Sequence, residues 1–259
     1  MTWLLIAVFV VGLWVVSLCF VLYASCSPSM VAFSSSQSGV GRRNVLLVVA
    51  HPDDESMFFS PTILYLTSRG HNLHMLCLST GNADGQGNIR KEELYKACAI
   101  LKVPLQQVKV LDHPALQDGF DKRWSHNLLA NIIEEEVKTK GIDLLITFDN
   151  YGVSGHQNHR DVHHGICMVL CENSQRKIEA WELISTSIAR KYTGPVDIWL
   201  SIIYSLYYPR GQIYCLFNGH PHQSFLAMAQ HESQWVWFRK LFVLFSSYTY
   251  MNTLKRINI

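Results

Sequence analysis

No charged side chain occurs among the first 41 residues; Arg42 and Arg43 are the first. Within that stretch, WLLIAVFVVGLWVVSLCFVLYA (residues 3–24) is interrupted only by Gly12 and Ser17. The absence of a polar stripe excludes an ordinary amphipathic surface helix. At 1.5 Å per residue, 22 helical residues extend roughly 33 Å, enough to cross a hydrocarbon core of roughly 30 Å. A cleaved signal peptide would have a basic start and an apolar part of about 7–15 residues. No Lys or Arg precedes this run, so residues 1–25 are expected to be a single-pass transmembrane anchor. The two arginines after it place the rest of the chain on the cytosolic side by the positive-inside tendency.

Other absences narrow the function. Lys and Arg number 22 against 20 Asp and Glu, with no long basic block, which removes the electrostatic footprint of a nucleic-acid binder. The seven cysteines are odd in number and include no Cys-x-x-Cys pair. They read as free thiols in a reducing compartment, Cys167 and Cys171 included, and not as a disulfide scaffold or structural zinc site.

Residues 26–43 are rich in Ser and Gly and read as a flexible tether. From Asn44 onward, apolar strand-like runs alternate with helical patterns: VLLVVA, a helix over 55–69, NLHMLCLST, a helix in IRKEELYKACAILKV, VKVLD, a helix over 124–140, DLLITFD, a helix over 158–171, and IEAWELISTS. This alternation predicts an α/β domain over 44–259, with a Rossmann-like, mostly parallel sheet and helices on both faces. In such sheets ligands bind at the carboxyl ends of the strands where strand order reverses, and the first and fourth strands usually flank that point. Here those strands run into HPDDE and NYGVSGHQNH, so the two polar clusters are expected to meet.

The first turn has no glycines where a dinucleotide fingerprint needs several. His51, Asp53, Asp54, His156 and His159 instead offer imidazole and carboxylate donors suited to zinc or iron(II). Pro52 turns the chain, so His51 and Asp54 can converge while Asp53 points elsewhere. His156 and His159, three apart, share a helical face. A catalytic zinc site needs three protein ligands: His51, Asp54 and one of the two later histidines. Asp53 remains as a general base, and the other histidine as oxyanion stabiliser or acid; spacing alone does not separate His156 from His159.

AHPDDES (residues 50–56) and SGHQNH (residues 154–159) resemble the signatures of the LmbE-like (PIG-L) metal-dependent deacetylases. MFFSPTI, GNADGQGNIRKEEL, TFDNYGVSGHQNH and HESQWVWFRKL are similar to its eukaryotic membrane-bound branch. The resemblance implies zinc-dependent removal of acetate from N-acetylglucosaminyl-phosphatidylinositol, the second step of GPI-anchor synthesis, at the cytosolic face of the endoplasmic reticulum. It implies His51, Asp54 and His159 as ligands of Zn2+ or another divalent metal, Asp53 as base and His156 as oxyanion stabiliser. It also points to Arg90, Glu93 and His231 as substrate-binding candidates. Where bacterial members often carry Pro-Asp between the two histidines, this chain has Gln157 and Asn158. The membrane and the glycolipid are the implied partners; protein partners are left unassigned. The rival functions are the same chemistry on another N-acetylglucosamine conjugate, a two-carboxylate glycosidase, and a non-catalytic adaptor that keeps the fold.

Asp112 and His113 are expected to rim the cleft. Of two late apolar segments, residues 196–208 are too short to span a bilayer and residues 235–250 set aromatics beside Arg239 and Lys240, as suits a headgroup boundary; both are read as core in preference to membrane-interface pieces.

Overall fold

The computed structural model describes residues 2–26, 42–119, 121–172, 178–209 and 211–258. Its centre is the run predicted as the first strand. Along the chain the elements are α1 (Thr2–Cys26), β1 (Asn44–Val49), α2 (Asp54–Met57), α3 (Ser60–Ser68), β2 (Asn72–Cys77), α4 (Gly87–Ile100), β3 (Val108–Val110), α5 (His126–Lys140) and β4 (Leu144–Phe148). They continue with α6 (Gly152–Gly155), α7 (Gln157–Glu172), β5 (Glu179–Leu183), α8 (Ile188–Lys191), α9 (Asp197–Leu206), β6 (Ile213–Phe217), α10 (Pro221–Ala229), α11 (Trp237–Phe245), α12 (Ser247–Tyr250) and β7 (Met251–Arg256). The strands form one sheet in the order β3-β2-β1-β4-β5-β7-β6.

Strands β1 to β5 pair in parallel, as the alternation predicts, and right-handed crossovers place helices on both faces. That is why β1 and β4 read as apolar runs without alternation: from Val45 to Val49 and from Leu144 to Phe148 every residue is buried, and a strand covered on both faces needs apolar side chains on both. The edge not foreseen from sequence is antiparallel, β7 pairing with both β5 and β6. IYCLF and MNTLKR are short and mixed in character, so neither carries a clear strand period.

The helix expected over 55–69 is two helices, α2 and α3. Pro61 occupies the first turn of α3; lacking an N–H, it is compatible with a new helix start but not with continuation of the previous one. Helix α5 starts after Ser125, whose hydroxyl accepts from Leu128 N–H, and ends at Gly141 with φ 62°. It crosses α7 closely, because a Cβ on Gly165 would lie 2.7 Å from Leu129 Cβ. Among the described cysteines all are free; Cys77 and Cys98 are buried and Cys171 is exposed.

The expected tether lies outside the described residues over 27–41. Its last residue, Arg43, belongs to the fold, with Nε 3.0 Å from Asp143 Oδ1 and Nη1 2.7 Å from Glu179 Oε2. Thr2–Ala24 is long and apolar enough to cross a membrane, yet the second half of α1 does not stand apart from the domain. Ser17, Val21 and Ala24 are buried, and Ser17 Oγ accepts from Trp199 Nε1 of α9 at 2.9 Å. The core reading of the two late segments holds for one face only: Ile198, Phe242 and Val243 are buried, whereas Leu206 is 77% and Trp237 73% exposed.

Gly165→Ala should push α5 and α7 apart and cost about 1–3 kcal/mol through overpacking. A lowered chemical-denaturation midpoint is the expected readout, and an unchanged midpoint would contradict the close crossing.

Candidate metal centre

Strand order reverses between β1 and β4, and both strands deliver their carboxyl ends to the same edge of the sheet. Leu47 pairs with Ile146, and Thr147 Oγ1 donates to Val48 O at 3.1 Å. Two residues beyond β1, His51 is buried. Asp54 folds back under it: Oδ2 accepts the N–H groups of Ala50 at 3.0 Å and His51 at 2.8 Å. The other oxygen, Oδ1, lies 3.2 Å from His159 Nε2. Interaction with His159 and His51 outweighs burial and holds the Asp54 carboxyl well below the usual carboxylate range.

Between them stands Asp53 with φ 114°, a left-handed conformation costing a non-glycine residue on the order of 1–3 kcal/mol. It is held by its surroundings. Asp53 N–H donates to Glu55 Oε2 at 3.0 Å, and Oδ2 accepts from Arg239 Nη1 at 2.6 Å and Arg90 Nη2 at 3.3 Å. The Asp53 side chain makes no helix-capping bond; the two arginines hold its buried carboxylate instead. Burial raises its pKa, against the lowering pull of the Arg239 and Arg90 charges.

The loop after β4 is equally constrained. Asp149 accepts from the N–H groups of Tyr151, Gly152 and Ser185, and Val153 sits at φ 66°, fixed by Ser185 Oγ on its N–H and Lys191 Nζ on its carbonyl. Gly152, at φ 70°, is required here: a Cβ would stand 2.8 Å from His159 Cβ. Its carbonyl takes the His159 Nδ1 proton at 3.0 Å, leaving Nε2 as a lone-pair donor, and Phe148 stacks on the ring at 4.1 Å. His156 Nδ1 accepts Asn158 N–H at 3.3 Å, which puts the ring proton of the neutral form on Nε2. Burial and the neighbouring His51 and His159 lower its pKa to about 4, so the imidazole is neutral at pH 7.

One donor atom each from His51, His156 and His159 lies within 4.8 Å of the others, and Asp54 adjoins this trio. His159 Nε2 and a carboxylate oxygen 3.2 Å apart in a buried site are satisfied by a positive charge shared between them, either a proton on Nε2 or a bound cation. Two ligand atoms each roughly 2.0 Å from one tetrahedral ion lie roughly 3.3 Å apart, so this edge fits a zinc-sized cation. Asn158 bonds on the His51 side of the site. Its Oδ1 is 3.1 Å from His51 Nε2, not on the His156 ring, and its Nδ2 donates to Lys122 O at 2.7 Å.

The remaining candidates divide. Arg90 joins the site, with Nη2 donating to Pro52 O and Nη1 to Gly81 O, both at 2.7 Å. Glu93 is buried and accepts from Ser233 N–H at 2.7 Å and Ser233 Oγ at 2.6 Å. His231 is fully buried and bonds Glu55 Oε1 at 2.7 Å; the Glu55 carboxylate outweighs burial and raises the His231 pKa. Glu93 thus ties α4 to the turn before α11, and His231 ties that turn to Glu55. Asp112 is exposed, and His113 Nδ1 accepts Ala115 N–H. Six residues beyond Asp112, Asp118 enters the site instead: Oδ1 is 3.0 Å from His51 Nε2 and Oδ2 is 3.4 Å from Arg90 Nη1. Neither Asp118 nor the contact of Arg239 with Asp53 was foreseen. The signal for Arg239 lay in HESQWVWFRKL; Asp118 is a lone loop acid with none.

Residues 46–170 match the model of the PIG-L family, described as GlcNAc-PI de-N-acetylase. The N-acetylglucosaminyl-phosphatidylinositol de-N-acetylase of Bos taurus is 38% identical over 215 residues, 83% of this chain and 83% of its own. The chain belongs to the PIG-L family. A probable enzyme of the same name from Schizosaccharomyces pombe is 38% identical over 226 residues, covering 86% of this chain and 90% of that one. Solved structures show how widely the fold is used. The N,N'-diacetylchitobiose deacetylase of Pyrococcus horikoshii superposes with a TM-score of 0.58 at 14% identity, covering 83% of this chain and 84% of that one. The 4-carboxy-2-hydroxymuconate hydratase GalB of Pseudomonas putida reaches 0.55 at 12%, covering 84% and 97%. Deacetylation and hydration on one scaffold show that the fold alone does not name a chemistry.

Arg239→Gln removes a charge that lowers the Asp53 pKa, so that pKa should rise. A reaction that needs ionised Asp53 then loses activity at a higher pH as the medium is acidified. The acid limb of the kcat/KM profile should move upward; an unmoved limb would separate Arg239 from Asp53 ionisation.

Proposed function

We propose that this PIG-L chain hydrolyses the acetamide of N-acetylglucosaminyl-phosphatidylinositol to glucosaminyl-phosphatidylinositol and acetate, the second step of GPI-anchor biosynthesis. It does so as a zinc-dependent enzyme of the endoplasmic reticulum membrane, with residues 1–25 as a single-pass anchor and the domain over 44–259 in the cytosol. The carrying observation is the buried approach of Asp54 Oδ1 to His159 Nε2 at 3.2 Å, beside an ionisable carboxylate that takes no part in it. The names of the relatives supply the substrate. Arg42 and Arg43 after the apolar helix support the orientation.

His51, Asp54 and His159 would hold the metal. Asp54 is a buried anion aimed at His159, and His159 presents a lone pair, whereas His156 carries its proton on Nε2 and is better suited to donate than to ligate. A divalent cation there supplies Lewis-acid polarisation of the amide carbonyl and of water. Asp53 accepts a proton from water as its oxygen attacks the acetyl carbon, and its raised pKa brings it closer to the working pH of a general base. His156 donates Nε2–H to the oxyanion that forms. When the C–N bond breaks, the proton held by Asp53 passes to the leaving amine, releasing acetate and the free glucosamine. Arg90 and Arg239 keep the Asp53 carboxylate aimed at the cleft. Glu93 and His231 act behind it, fixing the Ser233 turn and the Glu55 carboxylate.

Metal content measured with deacetylation of lipid-linked N-acetylglucosamine separates these roles. His159→Ala and Asp54→Ala should lose both metal and activity. Asp53→Ala and His156→Ala should keep the metal and lose about 10²- to 10⁴-fold in rate. Metal lost from His156→Ala and kept in Asp54→Ala would exchange the two roles. Full turnover in a strong chelator after metal removal would overturn the reading.

A further inference from the structure

The late apolar segments leave one face each uncovered; α9 meets α1 through Trp199, and α11 lines an apolar groove with it. On α9, Leu200, Ile203 and Leu206 point outward opposite buried Ile198. On α11, Trp237, Leu241 and Leu244 stand at i, i+4 and i+7, forming one exposed stripe. Between α1, α10 and α11 runs an apolar groove of 370 Å³ whose walls include Leu18, Phe225, Leu226 and Leu244. Apolar patches of this kind on a soluble surface mark a partner or a membrane.

The packing of α1 decides between them. Its contact with the domain begins at Trp14, edge-on to Tyr250 at 6.0 Å. It continues through Ser17 and through Phe20, whose ring lies 4.9 Å from Trp199 and 6.0 Å from Phe217, and reaches buried Ala24. Ten residues of helix rise roughly 15 Å, half of a hydrocarbon core of roughly 30 Å. If α1 lies in a bilayer, the surface it packs against cannot stay in water: it is held below the headgroups. Leu18 of α1 forms one wall of the groove.

We propose that α9, α10 and α11 are sunk into one leaflet around the second half of α1, and that lipid acyl chains occupy the groove. The protein is then anchored by its domain as well as by its helix. Lys240, 5.5 Å from the Trp235 ring, stands beside the stripe in a setting that suits the headgroup boundary. The inner side of α11 carries Arg239, which touches Asp53 at 2.6 Å, so one helix separates membrane from catalytic carboxylate. A lipid-linked substrate would reach the site laterally, past α11. The proposal rests on α1 lying in a bilayer and not on the reaction, so it stands or falls separately from the deacetylase reading.

The full chain in nanodiscs of phosphatidylcholine brominated on its acyl chains provides the test. The emission component lost on Trp237→Phe isolates an exposed side chain whose replacement leaves the core untouched. That component should lose most of its intensity to the brominated lipid and little to aqueous acrylamide. Leu206→Trp should add a second component with the same behaviour at the end of α9. Quenching of both by acrylamide would place these faces in water, and quenching by neither agent would place them under another protein. Either result overturns the proposal.

Discussion

One carboxylate holds the site together. Asp54 takes the two N–H groups just beyond β1 with one oxygen and faces His159 on α7 with the other, so it joins the two halves of the sheet where strand order reverses. A buried carboxylate that lost either set of partners would be left with an uncompensated charge, a far larger cost than an exposed ion pair could return. The tight turn His51-Pro52-Asp53-Asp54 follows from this demand. It also forces Asp53 into a backbone conformation that only its anchored N–H and its two arginines make tolerable.

Behind that layer stands a second buried one. Glu55 holds the Asp53 N–H and is itself held by Ser56 and His231. Glu93 ties α4 to the turn that leads into α11. On the opposite side, Asp149, Ser185 and Lys191 hold the strained loop at Val153, so His156 and His159 cannot drift. Side chains that must keep fixed positions through a reaction need such support, because a displacement of a fraction of an ångström changes rates by orders of magnitude.

Helix α11 links this machinery to the apolar exterior. Its inner residue Arg239 completes the environment of the Asp53 carboxylate, while its outer stripe has no protein cover among the described residues. The same short helix thus carries an arginine that touches Asp53 on one side and an uncovered apolar stripe on the other.

The sequence by itself determined the parallel centre of the fold and the principal donors. Strands buried on both faces must be apolar throughout, which made VLLVV and LLITF legible, and donors placed just beyond strand ends sit at the reversal point by topology alone. It also determined that residues 3–24 suit a bilayer, since composition is all that such a test needs. Tertiary structure alone decided what depends on distant partners. Arg239 meets Asp53 from 186 positions away, Asp118 reaches His51 from an irregular loop, and Glu93 and His231 turn inward as braces. The antiparallel edge of β6 and β7 and the docking of α1 on α9 likewise have no local pattern to announce them. Local periodicity reports which face of an element is covered; only the folded chain says by what.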